Sequence, residues 1–218
     1  WWWLDKYLVM NTTIIIQARL GSSRLPSKVL LPINGKPSII YQYERIKNCK
    51  AISNIVVAIP DNDQNNKLEQ TLKSNKIKVY RGSENNVFER FLKCAEFFNA
   101  DQIIRINGDC PLVSRTTIES LIDFFNKNPG YDYSSTTLDD SFPIGEHVEI
   151  FKLCSMKKAS ELRLKPTDCE HVTPIFYNNS SFKFISYKSN NLYPKKLRLC
   201  IDYPEDYEFI LDLVSHFK

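Results

Sequence analysis

Most of the features that announce a function outright are missing from this sequence. Its six cysteines, Cys49, Cys94, Cys110, Cys154, Cys169 and Cys200, are too far apart for any Cys-x-x-Cys pair, which removes zinc-ribbon and thioredoxin-type chemistry. A secreted scaffold stapled by three bridges is usually far shorter, so reduced, mostly buried thiols are expected. The three histidines, His147, His171 and His216, never fall in His-Glu-x-x-His spacing, which argues against a zinc hydrolase. Among six glycines there is no Gly-x-Gly pair and no Gly-x-x-x-x-Gly-Lys, so dinucleotide fingerprints and Walker loops lose their support. Charge of one sign is also scarce. With 29 Lys plus Arg against 25 Asp plus Glu, the formal net charge is only +4, and the bases are scattered among acids. A nucleic-acid binder would show a basic face or tail. No apolar run approaches the roughly 20 residues of a membrane span. The opening residues also lack the layout of a signal peptide, so a cytoplasmic protein is expected, with neither nucleic acid nor membrane as partner.

What is present is a regular alternation. Residues 1–9 carry no partner pattern and read as an extension outside the fold, followed by one continuous domain over 10–218. Thr12 to Gln17 is a β-branched run, Ile39 to Ile46 has helical spacing, and Ile55 to Ile59 is another apolar run, so strand, helix, strand is the simplest parse. The pattern predicts a helix near Gln64–Lys73, a strand at Lys76–Tyr80, a helix over Val87–Phe98, a strand at Gln102–Ile106 and a helix over Arg115–Asn126, with Ser114 or Thr116 as its cap. Beyond it, Tyr131–Ser135, His147–Phe151, Lys183–Tyr187 and Leu197–Cys200 read as strands. Leu153–Glu161, Glu170–Asn178 and Pro204–His216 read as helices. Such alternation predicts an α/β fold, with a mainly parallel sheet covered on both faces. In open sheets of this kind ligands sit beyond the carboxyl ends of the strands, which makes the segments just after strands the places to read.

Three of those segments carry chemistry. After the first strand comes Gln17-Ala18-Arg19-Leu20-Gly21-Ser22-Ser23-Arg24-Leu25-Pro26-Ser27-Lys28. Guanidinium forks and an ammonium suit phosphate oxygens, and Gly and Ser let backbone N–H groups approach. A solvated basic loop is the plain alternative, but three cations following the first strand converge on the expected crevice. The second segment, Arg105-Ile106-Asn107-Gly108-Asp109-Cys110-Pro111-Leu112, puts Asp109 over the same crevice. A carboxylate beside bound phosphates makes best sense with a divalent cation between them; alternatively, Asp109 caps a turn before Pro111. The third, Cys200-Ile201-Asp202-Tyr203-Pro204-Glu205-Asp206, ends a strand on Asp202 and opens a helix whose first-turn acids read as capping chemistry. Two strand-end carboxylates are a usual protein share of a Mg²⁺ site whose octahedron phosphates and water complete.

In this order the Arg-x-Gly-Ser-x-Arg-Leu-Pro-x-Lys loop, Gly-Asp-Cys-Pro-Leu, Glu170-His171-Val172-Thr173-Pro174 and Asp202-x-Pro-Glu-Asp resemble the cytidylyltransferases. The match is closest to the spore coat polysaccharide biosynthesis protein F branch, related to CMP-Kdo and CMP-sialic acid synthetases. The resemblance spans nearly all of Met10 to Lys218. It implies a three-layer α/β/α sandwich, a Rossmann-like, mainly parallel sheet of the nucleotide-diphospho-sugar transferase type. It also implies transfer of CMP from CTP to a small acidic sugar-like acceptor, Mg²⁺ as cofactor, and a homodimer as the assembly. By position, Arg19, Ser22, Arg24 and Lys28 would hold the triphosphate, with Ala18, Gly21, Ser23, Arg81 and Asn107 completing the nucleotide site. Asp109 and Asp202 would bind the metal. Glu146, His147, Glu170 and His171 would face the acceptor, although a lone helical His such as His171 can equally be structural. Asn107 and Cys110 stand where the Kdo enzymes carry Gln and Glu, which counts against Kdo itself. A nucleotide-sugar glycosyltransferase would need a second acid after Asp109, where Cys110-Pro111 stands. A non-catalytic nucleotide-binding relative would have no reason to keep every one of these residues.

Overall fold

The structure is a computed structural model and describes residues 10–194 and 196–217; the expected extension, residues 1–9, lies outside the described residues. The chain runs β1 (Thr12–Gln17), a 3₁₀ turn (Lys28–Leu30), a two-stranded hairpin of β2 (Pro32–Ile33) and β3 (Lys36–Pro37), α1 (Ser38–Ile46), β4 (Asn54–Pro60), a second 3₁₀ turn (Asp63–Asn65), α2 (Asn66–Ser74), β5 (Lys78–Gly82), α3 (Val87–Phe97), β6 (Gln102–Asn107) and α4 (Arg115–Asn126). It continues with β7 (Tyr133–Ser135), β8 (Glu149–Lys152), α5 (Leu153–Ser160), α6 (Pro166–His171), α7 (Pro174–Asn178), β9 (Phe184–Ser186) and α8 (Pro204–His216). Seven strands form one sheet in the order β5-β4-β1-β6-β8-β7-β9. β1 pairs in parallel with β4 and with β6, β4 with β5 and β7 with β9, while β8 runs antiparallel to both β6 and β7. Strand order therefore reverses at β1, which places the switch-point crevice beyond Gln17.

Both faces of the sheet are apolar because both are covered. Ile14, Ile16, Val57, Ile59, Ile104 and Ile106 point into one buried cluster with α1, α2 and α4. Ile15, Val56, Ala58 and Ile103 point into the other, with Phe88 and Phe91 of α3 and Met156 of α5. The near-continuous β-branched runs follow from this: with neither face wet, alternation disappears from the strands. A third cluster, Ile33, Leu112, Ile201 and Ile210, seats α8 against the hairpin. Among the described residues no helix is long and apolar enough to cross a membrane.

The departures from the sequence-based expectation have local causes. The strand expected at Lys76–Tyr80 begins only at Lys78, because Lys76 has a φ of 59° and ends the preceding turn. The single helix expected over Glu170–Asn178 is two, since Pro174 opens its own helix and Val172 has a φ of 70°. The strand expected at Leu197–Cys200 reduces to one bridge, Ile144 with Arg198. The β2–β3 hairpin went unread, being only two residues long on each side.

Candidate active site

A crevice of about 280 Å³ lies beyond β1, lined by residues of the Gln17–Lys28 loop, by Arg105, Asn107 and Asp109, by Val87 and Arg90 of α3 and by Glu170 and His171 of α6. Local bonds shape the loop. The Leu20 N–H donates to Asn65 Oδ1 at 3.0 Å and the Ser27 N–H to the Leu20 carbonyl at 3.1 Å, so the loop curls back on itself beyond the carboxyl end of β1. Ser27 then takes a φ of 58° and starts the turn that points Lys28 inward. The second wall is tied to the first by the Gly108 N–H on the Gln17 carbonyl, 2.8 Å, and by Gln42 Nε2, which donates to the carbonyls of Asn107 and Cys110 at 2.8 Å each.

Asp202 reaches the same place from far along the chain. Gly145 has a φ of 104°, and a Cβ there would lie 2.4 Å from the Leu199 carbonyl carbon, so only glycine lets the 199–202 segment pass so closely. The Leu199 N–H donates to Ile144 O at 2.6 Å and the Ile201 N–H to Asp109 O at 2.8 Å. That last bond lays the two acidic positions side by side. Asp206, expected as a cap, accepts from the N–H groups of Asp202 and Tyr203 at 3.0 and 3.1 Å and fixes the turn into α8.

The result is a convergence. Lys28 Nζ donates to Asp109 Oδ2 at 2.5 Å and to Asp202 Oδ1 at 2.8 Å. Burial alone would lower the pKa of this ammonium, but the two carboxylates outweigh it and hold it above its ordinary range. Arg24 Nη2 also donates to Asp202 Oδ1, 2.8 Å, its guanidinium standing 5.3 Å above the Tyr203 ring, and Arg198 approaches Asp202 Oδ2 at 3.5 Å. Two carboxylates that share one cation in a phosphate-sized crevice offer the hard oxygen donors that Mg²⁺ takes. Among the described residues no group of three or more His, Cys, Asp or Glu side chains is placed to hold a metal ion; Asp109 and Asp202 are the two carboxylates that meet at Lys28.

Behind the crevice sits a network absent from the sequence-based reading. Glu149, 5% exposed, accepts from Arg105, from Tyr133 OH at 2.7 Å and from Thr173 Oγ1 at 2.6 Å. Arg105 also donates to Gln17 Oε1 at 3.2 Å. Thr173 follows a γ-turn of positive φ centred on Val172, closed by its own N–H on the His171 carbonyl at 2.8 Å. This turn is rare and strained, more so for a β-branched residue. The Glu149 bridge and the buried Val172 side chain hold it, and it is what stops α6 with Glu170 and His171 on the crevice rim. Removing one partner of a buried ion pair costs about 3–5 kcal/mol, so Glu149→Ala is expected to lower the unfolding free energy by about that amount in a urea titration. A loss below about 1 kcal/mol would show that the network holds nothing.

The crevice brings together Ala18, Arg19, Ser22, Ser23, Arg24, Lys28, Asn107, Asp109, Glu170 and His171 of the expected residues, with Asp202 bonded to Lys28 and Arg24. Others lie elsewhere. Arg81, expected at the nucleotide, sits on the edge strand β5 and spends its guanidinium on Asp61 Oδ1, Glu69 Oε2, Asn66 Oδ1 and the Asn62 carbonyl, at 2.6–2.9 Å. Gly21 packs against Gln64 rather than lining the crevice. Glu146, expected at the acceptor, is 7% exposed and accepts from the Ser114 N–H at 3.2 Å, bracing the start of α4; burial raises its pKa. His147 is not among the lining residues; burial lowers its pKa, Arg105 adds to that, and Glu149 and Asp109 pull the other way. The lining residues missed from sequence are Gln17, Val29, Val87, Arg90 and Arg105. The two arginines did leave a signal: each is a lone cation in an otherwise apolar strand or helix face.

A mainly parallel sheet covered on both faces, with cations and paired carboxylates at its switch point, is the architecture of a nucleotidyltransferase of the nucleotide-diphospho-sugar transferase type. The chain belongs to the cytidylyltransferase family, whose model matches residues 13–216, and is a CTP-dependent enzyme. It is similar to a cytidylyltransferase from Leptospira borgpetersenii of known structure, with 34% identity and a TM-score of 0.90 over 96% of this chain and 88% of that one. It is 30% identical over 204 residues to the spore coat polysaccharide biosynthesis protein SpsF of Bacillus subtilis, covering 90% of this chain and 83% of that protein. Over 134 residues, 59% of this chain and 53% of the relative, it is 37% identical to an 8-amino-3,8-dideoxy-manno-octulosonate cytidylyltransferase from a Shewanella species.

Proposed function

We propose that the protein transfers CMP from CTP to an acidic sugar-like acceptor, with release of pyrophosphate, as a step in making a surface polysaccharide or glycoconjugate. The observation that carries this reading is the Lys28 ammonium, bound at once to Asp109 and Asp202 inside the crevice. The relatives support it: one is named for polysaccharide biosynthesis, another for an octulosonate, an acidic sugar.

In this reaction an acceptor oxygen forms a bond to the α-phosphorus while the bond from that phosphorus to the α–β bridging oxygen of CTP breaks, that oxygen leaving as a terminal oxygen of pyrophosphate. Such transfer depends chiefly on in-line positioning and on neutralising the leaving group. Arg19, Arg24 and Lys28 meet the phosphates whose charge rises as the bond breaks, and Ser22 and Ser23 give the loop polar atoms to orient them. Asp109 and Asp202 would hold Mg²⁺, which when bound supplies Lewis-acid neutralisation of phosphate charge. Glu170 and His171, at the end of the strained turn, face the acceptor side.

The test is a pyrophosphate-release assay with CTP, Mg²⁺ and a panel of acidic sugars. Release that depends on one acidic sugar supports the reading. Release of a nucleoside diphosphate from a nucleotide-sugar donor would make the chain a glycosyltransferase, and release of nothing would leave a binding module.

A further inference from the structure

Charge in the crevice does not balance evenly. Lys28 and Arg24 are bonded to Asp109 and Asp202, and Arg105 to Glu149. Two lining guanidiniums, Arg19 and Arg90, have no carboxylate within ion-pair distance among the described residues. Arg90 is the more unusual. It lies on the buried side of α3, among Val87, Phe88, Phe91 and Cys94, and is only 2% exposed. One Nη donates to the Ser83 carbonyl at 2.6 Å, while its Nε is buried with no acceptor. Burial, with Arg19 adding to it, pushes its pKa down to about 10, against a smaller pull from the Cys94 and Glu84 side.

The seat for this cation is built. Gly82 ends β5 directly beneath it, and a Cβ there would lie 2.8 Å from Arg90 Cγ and 3.2 Å from its Cβ, so the missing side chain makes room for the arginine stem. A buried, hydrogen-bond-deficient cation facing a second one is costly unless an anion completes it. Two adjacent forked donors suit a chain of phosphate oxygens, which offers several acceptors and more than one negative charge, better than a single carboxylate.

We infer that Arg90, together with Arg19, forms a polyphosphate subsite where α3 lines the crevice, and that the phosphate chain of the nucleotide runs between it and the Lys28–Asp109–Asp202 cluster. The inference rests on the nucleotide reading above and adds a residue to it. Without a ligand, Lys28 and Arg24 are neutralised by the aspartates, and Arg19 and Arg90 are the lining cations left for the ligand's charge; Lys28 and Arg24 join them at the phosphates once the nucleotide binds.

Isothermal titration with CTP and with inorganic pyrophosphate, each with Mg²⁺, tests it on the native chain, Arg90→Met and Arg90→Lys. Methionine keeps an apolar stem and removes the charge, so R90M is expected to unfold at a urea concentration no lower than native. It should nevertheless bind both ligands on the order of 10- to 100-fold more weakly, as the loss of charge-assisted hydrogen bonds implies. R90K, with charge but no fork, should fall between. Pyrophosphate has no carboxylate, sugar or base, so its weakened binding assigns Arg90 to phosphate. Unchanged affinities for both ligands in R90M, whether the variant is stable or destabilised, would overturn the inference and make Arg90 structural or an acceptor contact. If the native chain itself binds neither ligand, the nucleotide reading fails first; if it does bind them, only the Arg90 assignment is at stake.

Discussion

Asp109→Asn and Asp202→Asn are each expected to leave a folded chain that has lost transfer activity on the order of 10³-fold, about 4 kcal/mol of transition-state stabilisation. Asn keeps the size and part of the hydrogen bonding of Asp but removes the charge that a dication needs. The expected split between the two variants follows from their neighbours. Asp109 bonds to the Lys28 ammonium and contacts the thiol of Cys110 at 3.5 Å, so D109N should be close to native in stability. Asp202 answers three cations, Arg24, Lys28 and Arg198. D202N leaves them facing one another and should lose about 1–2 kcal/mol as well as activity; the partial exposure of these groups keeps the cost modest. Circular dichroism with pyrophosphate release separates the two effects. Turnover within about threefold of native in both variants, less than 1 kcal/mol, would remove the aspartates from the chemistry.

Lys28→Met is expected to have the second-largest effect, and in two directions. With the ammonium gone, two carboxylates that it held at 2.5 and 2.8 Å face each other without a shared cation. Lys28 itself is 8% exposed, while the aspartate side chains retain 25% and 20%. The penalty should therefore be about 2–3 kcal/mol, below that of a fully buried pair. Activity should fall on the order of 10²- to 10³-fold, by analogy with the loss of one preorganised donor. The distinctive outcome concerns Mg²⁺ without nucleotide. An ion that binds the native state raises its stability by mass action, and in K28M it would no longer compete with an ammonium for the same two carboxylates. Mg²⁺ should then raise the melting temperature of K28M more than that of the native chain. An equal or smaller shift would mean that metal and lysine do not share the site.

The placement of these residues shows what a sequence can carry. The Arg19–Lys28 loop, Asp109 and Asp202 were legible because each follows an apolar run, and the strand-end rule for open sheets makes such positions converge. The apolar runs themselves were legible as strands because both faces of the sheet are buried. What could not be read depends on distant partners. Arg81 looks, in sequence, like any other cation after a strand, and only the packing of α2 against β5 shows that Asp61 and Glu69 claim it. Arg105 and Arg90 are hard to read from sequence for the opposite reason. They interrupt apolar segments, where the usual reading is a tolerated exception, yet one is braced by a carboxylate 44 positions along the chain and the other is left unbalanced toward the crevice. Glu146 and His147 are not among the lining residues: β8 starts at Glu149 rather than at His147, and the Glu146 carboxylate accepts from the Ser114 N–H instead.

The central claim is that Asp109 and Asp202 hold one divalent cation against the phosphates of a nucleotide, and a crystal of the native chain grown with CTP and Mn²⁺ tests it most directly. The account predicts one anomalous manganese peak within about 2.5 Å of a carboxylate oxygen from each aspartate, a hard-cation distance, with the Lys28 ammonium released from between them and turned to the phosphate chain. Manganese bound elsewhere, or a nucleotide seated with Lys28 still bridging both aspartates and no metal between them, would contradict it.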